Sequence, residues 1–515
     1  MGAPQHQLGV ATTSQLAADA AAEVAELGGN AVDCAVAAAM CSINTQPGVC
    51  ALAGGAFVSV WRPGKTPLTI DGNVAVPGMG LSPETSVQPE SVTMDYGGGI
   101  TTLVGTSSIA VPGTLKALYN AAEHFGSVSW RDLLEPTIRA AKAGFPLAAA
   151  CHYYLGYAGR VIFGRSEDGY AALHHADGSL VDPGSPIVVP HLADSLMAIA
   201  QEGERVFYEG EIGRRIVGHV QSRGGLLSAT DLQRYKAEVR KSLLVDIDDW
   251  QIALNPPPAI GGANLAALLL CFGTEQFSVW DADSLRRLLR AQQATMRYRR
   301  TNLDITQDVE PVALQMLALA RSGELVSKYA SASTVHTSAV DSSGLACAIT
   351  ASSGYGSGEM APGTGLWLNN CLGELELNCL GLEAGPPGRR LPSNMAPGCA
   401  RSKNAVLAIG SPGADRITTA LHQFLVNFLQ RGLDLRESVA HPRLHLRIDE
   451  TASEIAAEPG IEMPDTEIPL RPYDELSMYF GGVAAALFDR DTGIDVAADP
   501  RREGGTFTLE QQGNG

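Results

Sequence analysis

The spacing of apolar and polar residues divides the chain into helical and strand-forming stretches. Residues 14–40 carry alanine and larger apolar side chains at helical spacing, interrupted at Gly28-Gly29-Asn30, and predict two helices, the second of them buried. Residues 55–70 predict two strands joined at Pro63-Gly64. The Gly- and Pro-rich stretch from Asp71 to Gly105 predicts a loop.

Helices continue through the middle of the chain, before a strand and another buried helix. Helical spacing predicts three further helical stretches: Pro112–Ala143, Leu192–Gln201 and Glu211–Gly218. The segment from Leu243 to Leu254 alternates as a strand and runs into a proline-rich loop, Asn255-Pro256-Pro257-Pro258. A buried helix is predicted at Ala263–Cys271.

The pattern changes to short strands after Ser333. Residues 336–352 predict a hairpin around Asp341-Ser342-Ser343-Gly344, and a second strand pair is predicted at Ala405–Ile409 and Val483–Asp489. A long amphipathic helix is predicted at Arg416–Gln430. Helices, strands, helices and strands in this order predict an α+β fold, a layered sandwich with its sheets inside.

Composition and charge narrow the class of partner. The 515 residues are 45% hydrophobic and 18% charged, an ordinary globular balance, and the formal net charge of -18 disfavours nucleic acid or an anionic membrane as partner. A small-molecule substrate is the expected partner. We find no apolar run of the roughly 18 residues that cross a membrane and no signal peptide at the start. Nine cysteines without a CxxC pair predict reduced thiols and a cytoplasmic protein.

Thr334, at the start of the predicted hairpin, is the candidate nucleophile. A threonine hydroxyl needs a base, and cleavage after Ser333 would give Thr334 a free α-amino group whose ordinary pKa of about 7.7–8.0 suits that task. The same hydroxyl could first attack the carbonyl of Ser333, which would account for self-cleavage. A threonine at the start of a strand is more often a packing residue, so this spacing alone does not decide. The eleven histidines show no metal-binding spacing, and we expect neither a metal nor another cofactor.

Several motifs in order decide the interpretation. The main ones are Thr334-Val335-His336-Thr337-Ser338, Gly354-Tyr355-Gly356-Ser357-Gly358 with Leu368-Asn369-Asn370, and Gly410-Ser411-Pro412-Gly413-Ala414-Asp415-Arg416-Ile417. Together they resemble the γ-glutamyltransferase family of N-terminal-nucleophile hydrolases, over nearly the whole chain. The resemblance implies a four-layer αββα sandwich. It also implies self-cleavage into a large subunit, residues 1–333, and a small subunit, residues 334–515, which stay together as one αββα unit, with a dimer of these pairs left open.

The resemblance also assigns roles to particular residues. Thr334 becomes nucleophile and base, and the backbone N–H groups of Gly413 and Ala414 form the oxyanion hole. This agrees with their place at the start of the Arg416–Gln430 helix, where an anion is favoured. Ser352 matches a threonine that hydrogen-bonds near the nucleophile, and Ser393 matches the first of two substrate-binding serines.

The residues expected to hold a γ-glutamyl group differ from the family. Asn73 stands where the family has an arginine for the α-carboxylate, and a neutral amide cannot replace a bidentate guanidinium–carboxylate pair. Glu374 stands for the aspartate that binds the α-amino group, and Asn394 stands for the second serine. A relocated cation, Arg389 or Arg390, is the alternative carboxylate partner.

These departures favour a different acyl group. The branch of the family in the lincomycin and pyrrolobenzodiazepine pathways, which helps to make 4-alkylproline units, also lacks the arginine, and its proposed task is hydrolytic removal of an oxalyl group by C–C cleavage. We therefore predict a hydrolase of this kind. The alternatives are a γ-glutamyltranspeptidase or glutathione hydrolase, an amidohydrolase or acylase of a small oxo-acid amide, and an unprocessed binding protein. His336 is on the same strand face as Thr334, and we expect it to pack or hydrogen-bond rather than to catalyse.

Overall fold

The computed structural model describes residues 7–82, 85, 87–96, 99–325, 334–448 and 453–510. Its α-helices, α1 to α15, are Gln15–Glu26, Ala31–Thr45, Thr114–Phe125, Trp130–Ala143, Ala149–Ala158, Glu167–Leu173, Leu192–Glu202, Arg205–Tyr208, Glu211–Ser222, Ala229–Arg234, Ile260–Phe272, Ala282–Tyr298, Val309–Ser322, Arg416–Leu425 and Leu435–Ala440. Its strands, β1 to β20, are Gln7–Thr12, Gly55–Trp61, Leu68–Gly72, Glu90–Met94, Ile100–Val104, Phe145–Pro146, Pro186–Ile187, Glu238–Lys241, Leu243–Ile247, Trp250–Leu254, Val335–Asp341, Ala346–Ser352, Gly398–Arg401, Ala405–Gly410, Leu444–Ile448, Ser453–Ala457, Leu470–Pro472, Ala484–Asp489, Gly493–Ala498 and Gly505–Glu510.

Two antiparallel sheets form the inside of the molecule. The first has the strand order β20-β1-β11-β12-β2-β3-β8, and the second has the order β19-β18-β14-β13-β10-β9. In the first sheet, β11 pairs with β12 from Val335↔Ala351 onward and with β1 from Leu8↔Asp341 onward. The strand that follows Thr334 is therefore hydrogen-bonded on both edges.

Short side chains hold the two sheets face to face. The layer between them is built largely from alanine and valine, including Ala11, Val340, Ala348, Ala408 and Ala486. Because these side chains are short, polar groups also reach across: the hydroxyl of Ser338 on β11 donates to the carbonyl of Ala484 on β18 at 3.0 Å.

Helices cover both outer faces and complete four layers. Helices α1, α2 and α3 pack on the seven-stranded sheet, with apolar side chains of β2 and β12 below them, and α4 packs on the outside of α2. Helices α11 and α14 pack on the six-stranded sheet, and α13 packs on α11 as part of the same apolar cluster. The predicted αββα sandwich is confirmed.

Helix α2 shows how local sequence sets these layers. Asn30 accepts hydrogen bonds from the N–H groups of Val32 and Asp33, and the Asp33 carboxylate accepts from the N–H of Asn30, a capping box. Each residue of α2 is buried, because the helix lies between α1, α4 and the sheet. The predicted pair of helices, with the second buried, is confirmed.

Two predicted segments are subdivided in the structure. The predicted Asp71–Gly105 loop contains the hairpin β4–β5, paired from Glu90↔Val104 to Met94↔Ile100, so its assignment as loop is wrong in that part. The predicted strand Leu243–Leu254 is a hairpin, since Asp248 has a φ of 52° and turns the chain between β9 and β10. Polar and threonine side chains on the exposed faces conceal β4 and β5 in the sequence.

The Arg416–Gln430 helix is confirmed in its position and differs in its surroundings. It is α-helical to Leu425 and ends in one π-helical turn, Val426–Gln430. Its polar side does not reach solvent: Thr419 hydrogen-bonds Nδ1 of His445 at 3.0 Å, and Gln423 donates to the carbonyl of Leu444 at 2.9 Å. The small sheet β15–β16–β17 thus covers the face that the pattern assigns to water.

Candidate active site

Thr334 lies immediately before β11 and is only 2% exposed. Val335, the next residue, pairs with Ala351, so Thr334 starts beside Ser352, the last residue of β12. Ser352 in turn pairs with Gly55 at the start of β2. Ser333, the residue before the predicted cut, lies outside the described residues.

His336 connects the nucleophile strand to the second sheet. Its Nδ1 lies 2.8 Å from the hydroxyl oxygen of Thr350, and its Nε2 lies 2.8 Å from that of Ser338. Burial lowers the pKa of His336 to about 3, so its imidazole is neutral at physiological pH. The ring packs against Gly410 at the end of β14, where an added Cβ would lie 2.2 Å from the imidazole Cε1. These contacts agree with the packing and hydrogen-bonding role expected for His336.

The turn after Gly410 presents two backbone N–H groups. Gly413 and Ala414 have φ angles of 127° and 65°, and helix α14 begins two residues after Ala414. Among the described residues, neither N–H donates a hydrogen bond. Two unused donors at a helix start can stabilise a developing oxyanion. Side chains alternate along a strand, so Thr334 shares the face of His336 that meets Gly410, three residues before Gly413.

Gly354 lies between the side chains of Ser352 and Glu374. The hydroxyl of Ser352 accepts the N–H of Gly354 at 3.2 Å. A Cβ added to Gly354 would lie 3.2 Å from Oε2 of Glu374 and 2.3 Å from Oδ1 of Asn370, so only glycine allows this approach. The carboxyl of Glu374, 2% exposed, therefore lies over the loop that follows β12.

The electrostatics at Glu374 favour its uncharged form. Burial, and then the nearby carboxylate of Glu376, raise the pKa of Glu374 well above its ordinary value, against a smaller lowering by Arg299. Glu376 is itself engaged, since the hydroxyl of Tyr355 donates to its Oε2 at 2.6 Å. This environment differs from one that would hold an ionised carboxylate for an ammonium group.

Asn73 is a structural amide in this fold. Its side-chain Nδ2 donates to the carbonyl of Leu391 at 2.7 Å, and its backbone carbonyl accepts the hydroxyl of Tyr235 at 2.6 Å. Its Oδ1 would lie 2.9 Å from a Cβ added to Gly55, the partner of Ser352. Asn73 therefore lies beside the start of β2, and its side-chain amide ties the residue after β3 to Leu391, two residues before Ser393.

The two arginines proposed as a relocated cation are held by protein groups. Arg389 donates to the carbonyl of Thr306 at 3.2 Å and also to that of Ala384. Arg390 lies 3.5 Å from the carboxylate of Asp71 and 4.4 Å from the ring centroid of Tyr235. Asp71 also binds Arg240 at 2.9 Å. These contacts give no support to the alternative that Arg389 or Arg390 binds the substrate carboxylate in place of the missing arginine.

Ser393 and Asn394 lie between α11 and the turn that carries Gly413 and Ala414. The carbonyl of Ser393 accepts the N–H groups of Ile260 and Gly261 at 3.0 and 2.9 Å, and its hydroxyl accepts the N–H of Met395 at 3.3 Å. Asn394 donates from Nδ2 to Asp415 Oδ1 at 3.3 Å, so its side chain meets the residue after Ala414.

A buried ion-pair network behind Asp415 was absent from the sequence prediction. Arg299, 1% exposed, donates to Asp415 at 3.1 Å and to Asp304 at 2.9 Å. It supports Asp415 and hence the turn that carries Gly413 and Ala414. Arg299 belongs to a π-helical turn after α12, and no local sequence pattern identifies its partner 116 residues away.

The described part of the chain contains no cluster of three or more His, Cys, Asp or Glu side chains arranged to hold a metal ion. In the same residues, no helix combines the length and the apolar character that a membrane span requires. The nine cysteines are all unpaired thiols.

Comparison with known proteins identifies the family to which the chain is similar. Residues 17–509 match the profile of the family described as Gamma-glutamyltranspeptidase. The chain is 27% identical to the glutathione hydrolase proenzyme of Pseudomonas aeruginosa, over 96% of this chain and 93% of the relative. It is also 27% identical to the acylase ACY 1 proenzyme of Pseudomonas sp. strain V22, over 96% of this chain and 92% of that one.

Solved structures show the same fold. Cephalosporin acylase from Bacillus halodurans superimposes with a TM-score of 0.80 at 22% identity, covering 99% of this chain and 97% of that chain. LmbA2991HD superimposes with a TM-score of 0.77 at 20% identity, covering 98% and 99%. The chain therefore belongs to the gamma-glutamyltranspeptidase family and is an N-terminal-nucleophile enzyme of the hydrolase and transferase kind.

Proposed function

We propose that this chain cleaves itself before Thr334 and then hydrolyses an acyl bond in a small, carboxylate-bearing metabolite whose acyl group is not γ-glutamyl. The first candidate is an oxalyl-type group that is removed during 4-alkylproline formation by hydrolysis of a C–C bond. The observation that carries the proposal is the 2.7 Å hydrogen bond from Asn73 to the carbonyl of Leu391, where the family pattern expects a carboxylate-binding arginine.

The chemistry uses groups that the fold brings together. The hydroxyl of Thr334 attacks the carbonyl of Ser333, the peptide nitrogen leaves as the new α-amine, and water opens the resulting ester. That amine then takes the proton of the same hydroxyl as it attacks the acyl carbon of the substrate. The N–H groups of Gly413 and Ala414 receive the oxyanion. The protonated amine passes its proton to the leaving group, and water releases the acid from Thr334.

Loss of the guanidinium weakens any grip on a γ-glutamyl group. A charge-assisted hydrogen bond contributes about 1.5–3 kcal/mol, and each 1.4 kcal/mol is about a factor of ten. The missing arginine should therefore cost roughly ten- to several-hundred-fold in binding or rate. The raised pKa of Glu374 adds a second reason, because a protonated carboxyl would offer the γ-glutamyl ammonium no full negative charge there.

Chromogenic anilides test the acyl group directly. We expect the processed protein to release nitroaniline from oxalyl-4-nitroanilide, and γ-glutamyl-4-nitroanilide to react with a kcat/KM far below about 10⁴ M⁻¹s⁻¹, the lower end for efficient enzymes. Asn73→Arg should not restore the γ-glutamyl reaction, because the arginine would displace the amide that binds Leu391. Thr334→Ala provides the background rate.

Efficient γ-glutamyl hydrolysis would overturn the proposal and identify a glutathione hydrolase. Turnover of longer dicarboxylic acyl anilides with no turnover of the oxalyl compound would favour the acylase alternative. A single uncut 54.0 kDa band that persists on prolonged incubation would instead favour an unprocessed binding protein. The large and small pieces and the small-molecule substrate are the partners that this proposal requires.

A further inference from the structure

The carboxyl group of Glu374 is a buried polar group that its own fold leaves unsatisfied. The backbone carbonyl of Glu374 accepts the N–H groups of Leu377 and Asn378, which fixes the turn at this residue. Within the described residues its Oε1 is buried and has no hydrogen-bond partner. Its Oε2 lies above Gly354, in the loop that begins at Ser352. A buried oxygen without a partner costs stability, so a ligand that satisfies it is favoured.

Two charged groups act on the pKa of Glu374, and the one with the larger effect is another acid. Glu376 lies two residues along the same turn and raises the pKa of Glu374, while the guanidinium of Arg299 lowers it. Arg299 already binds Asp304 and Asp415. The other titratable neighbours, Tyr154, Tyr355 and Cys371, have pKa values raised by burial and stay uncharged at neutral pH. No described cation therefore binds the Glu374 carboxyl at hydrogen-bond distance.

The protonation state decides what Glu374 can recognise. An ionised carboxylate only accepts hydrogen bonds and would suit an ammonium group, whereas a protonated carboxyl also has one O–H donor. We infer that Glu374 donates a hydrogen bond to an oxygen of the substrate's acyl group, either a carboxylate or a keto oxygen. The acyl group then carries an acceptor oxygen where a γ-glutamyl group carries its ammonium. This inference rests on the proposed function, since it concerns the substrate of the same site.

Glutarate and L-glutamate form a matched pair of probes, because they differ only by the α-ammonium group. We expect calorimetry on the processed protein to show glutarate binding at least about tenfold more tightly than L-glutamate. Glu374→Gln should retain glutarate binding within about threefold, because the Gln amide keeps an N–H donor. Glu374→Leu, which has no donor, should lose about tenfold or more.

The pH dependence of binding distinguishes a donor from a merely structural residue. Glutarate affinity of the wild-type protein should fall as pH rises through the raised pKa of Glu374, whereas Glu374→Gln should show no such fall. Glu376→Gln, the matched control, removes the neighbouring acid, so the fall should move to lower pH. If Glu374 had only a structural role, the pH dependence of glutarate affinity would be the same in the wild-type protein, Glu374→Gln and Glu376→Gln.

The opposite result is equally clear. If L-glutamate binds more tightly than glutarate, and Glu374→Gln selectively abolishes that binding, then Glu374 is an ionised ammonium site and the inference is wrong. Failure of glutarate to bind at all also counts against it. Because these are binding measurements on the processed protein, they do not depend on anilide turnover, which tests the proposed function separately.

Discussion

The ring of His336 occupies the space in which Gly410 would carry a side chain, since an added Cβ would lie 2.2 Å from its Cε1. This contact joins the strand that follows Thr334 to the strand that leads into Gly413 and Ala414. The proposed nucleophile precedes a strand of one sheet and the proposed oxyanion donors follow a strand of the other, so their relative position depends on how closely these two strands approach.

Gly410→Ala should therefore separate the two halves of the site. The new methyl group must push His336 away, and overpacking of this kind typically costs about 1–3 kcal/mol. We expect a lower Tm and slower or incomplete processing, measured by thermal unfolding and denaturing gels. Gly218→Ala is the matched control, because nothing lies within 4 Å of its added Cβ. If Gly410→Ala is processed at the wild-type rate, the proposed coupling across the sheets is wrong.

Thr334→Ala should block both cleavage and turnover, because one residue supplies the hydroxyl and the amine. Thr334→Ser keeps both groups and should retain partial activity. Mass spectrometry of the smaller piece should place Thr334 at its N-terminus in the wild-type protein. Wild-type turnover by the alanine variant would show that another residue is the nucleophile.

Ala414→Gly should be tolerated, because both residues supply the backbone N–H and glycine fits a φ of 65° better. We expect an unchanged kcat and a Tm equal to or above that of the wild type. The corresponding gain in the free energy of unfolding is at most about 0.5–1 kcal/mol. Gly413→Ala is the contrasting variant, since its Cβ would lie 2.5 Å from Cα of Gly481. It should lose activity together with stability, and equal behaviour of the two variants would argue against this account of the turn.

The pH dependence of turnover should report the α-amine of Thr334 and not His336. Burial holds the pKa of His336 near 3, so its imidazole stays neutral across the working range. The amine must be neutral to act as base, and kcat/KM should therefore fall as pH drops below the amine's pKa. His336→Asn should reduce Tm and leave the midpoint of this profile unchanged. A shifted midpoint would indicate that the imidazole takes part in proton transfer.

Glu374 should make the folded protein less stable as pH rises. Its pKa is raised in the fold, so above the ordinary value of about 4.3 the unfolded carboxyl ionises while the folded one stays protonated. Stability is lost from that pH up to the raised pKa. The Tm of Glu374→Gln relative to wild type should thus increase as pH rises from the ordinary carboxyl pKa of about 4.3 toward the raised pKa. A constant difference would show that the folded carboxyl is ionised throughout.

Much of the architecture is predictable from local pattern. The capping residue Asn30, the hairpin turn at Asp341 and the individual strands β14 and β18 each have a signal within a few residues. Helix α12 also carries an apolar stripe at helical spacing, Leu285, Leu288 and Leu289, although the prediction included no helix there. Its many arginines and polar residues concealed that stripe.

The chemistry of the substrate side is less accessible to sequence. The position of Asn73 follows from the motif, but its bond to Leu391 joins residues 318 positions apart. The raised pKa of Glu374 depends on burial by several separate segments, and burial is a property of the whole packing arrangement. Sequence therefore indicates which residues line the site, and the tertiary structure determines the protonation state of its acid.

The order of strands has a consequence for the proposed cut. In the first sheet, β11 and β12 of the small piece lie between β1 and β2 of the large piece, and in the second sheet β13 lies beside β10. The cut would leave these backbone ladders intact, so the two pieces should melt together. Refolding, however, would become a second-order encounter whose yield depends on dilution. A protein that matured from one chain would thus have no unimolecular route back once unfolded, and its lifetime would depend on its unfolding rate.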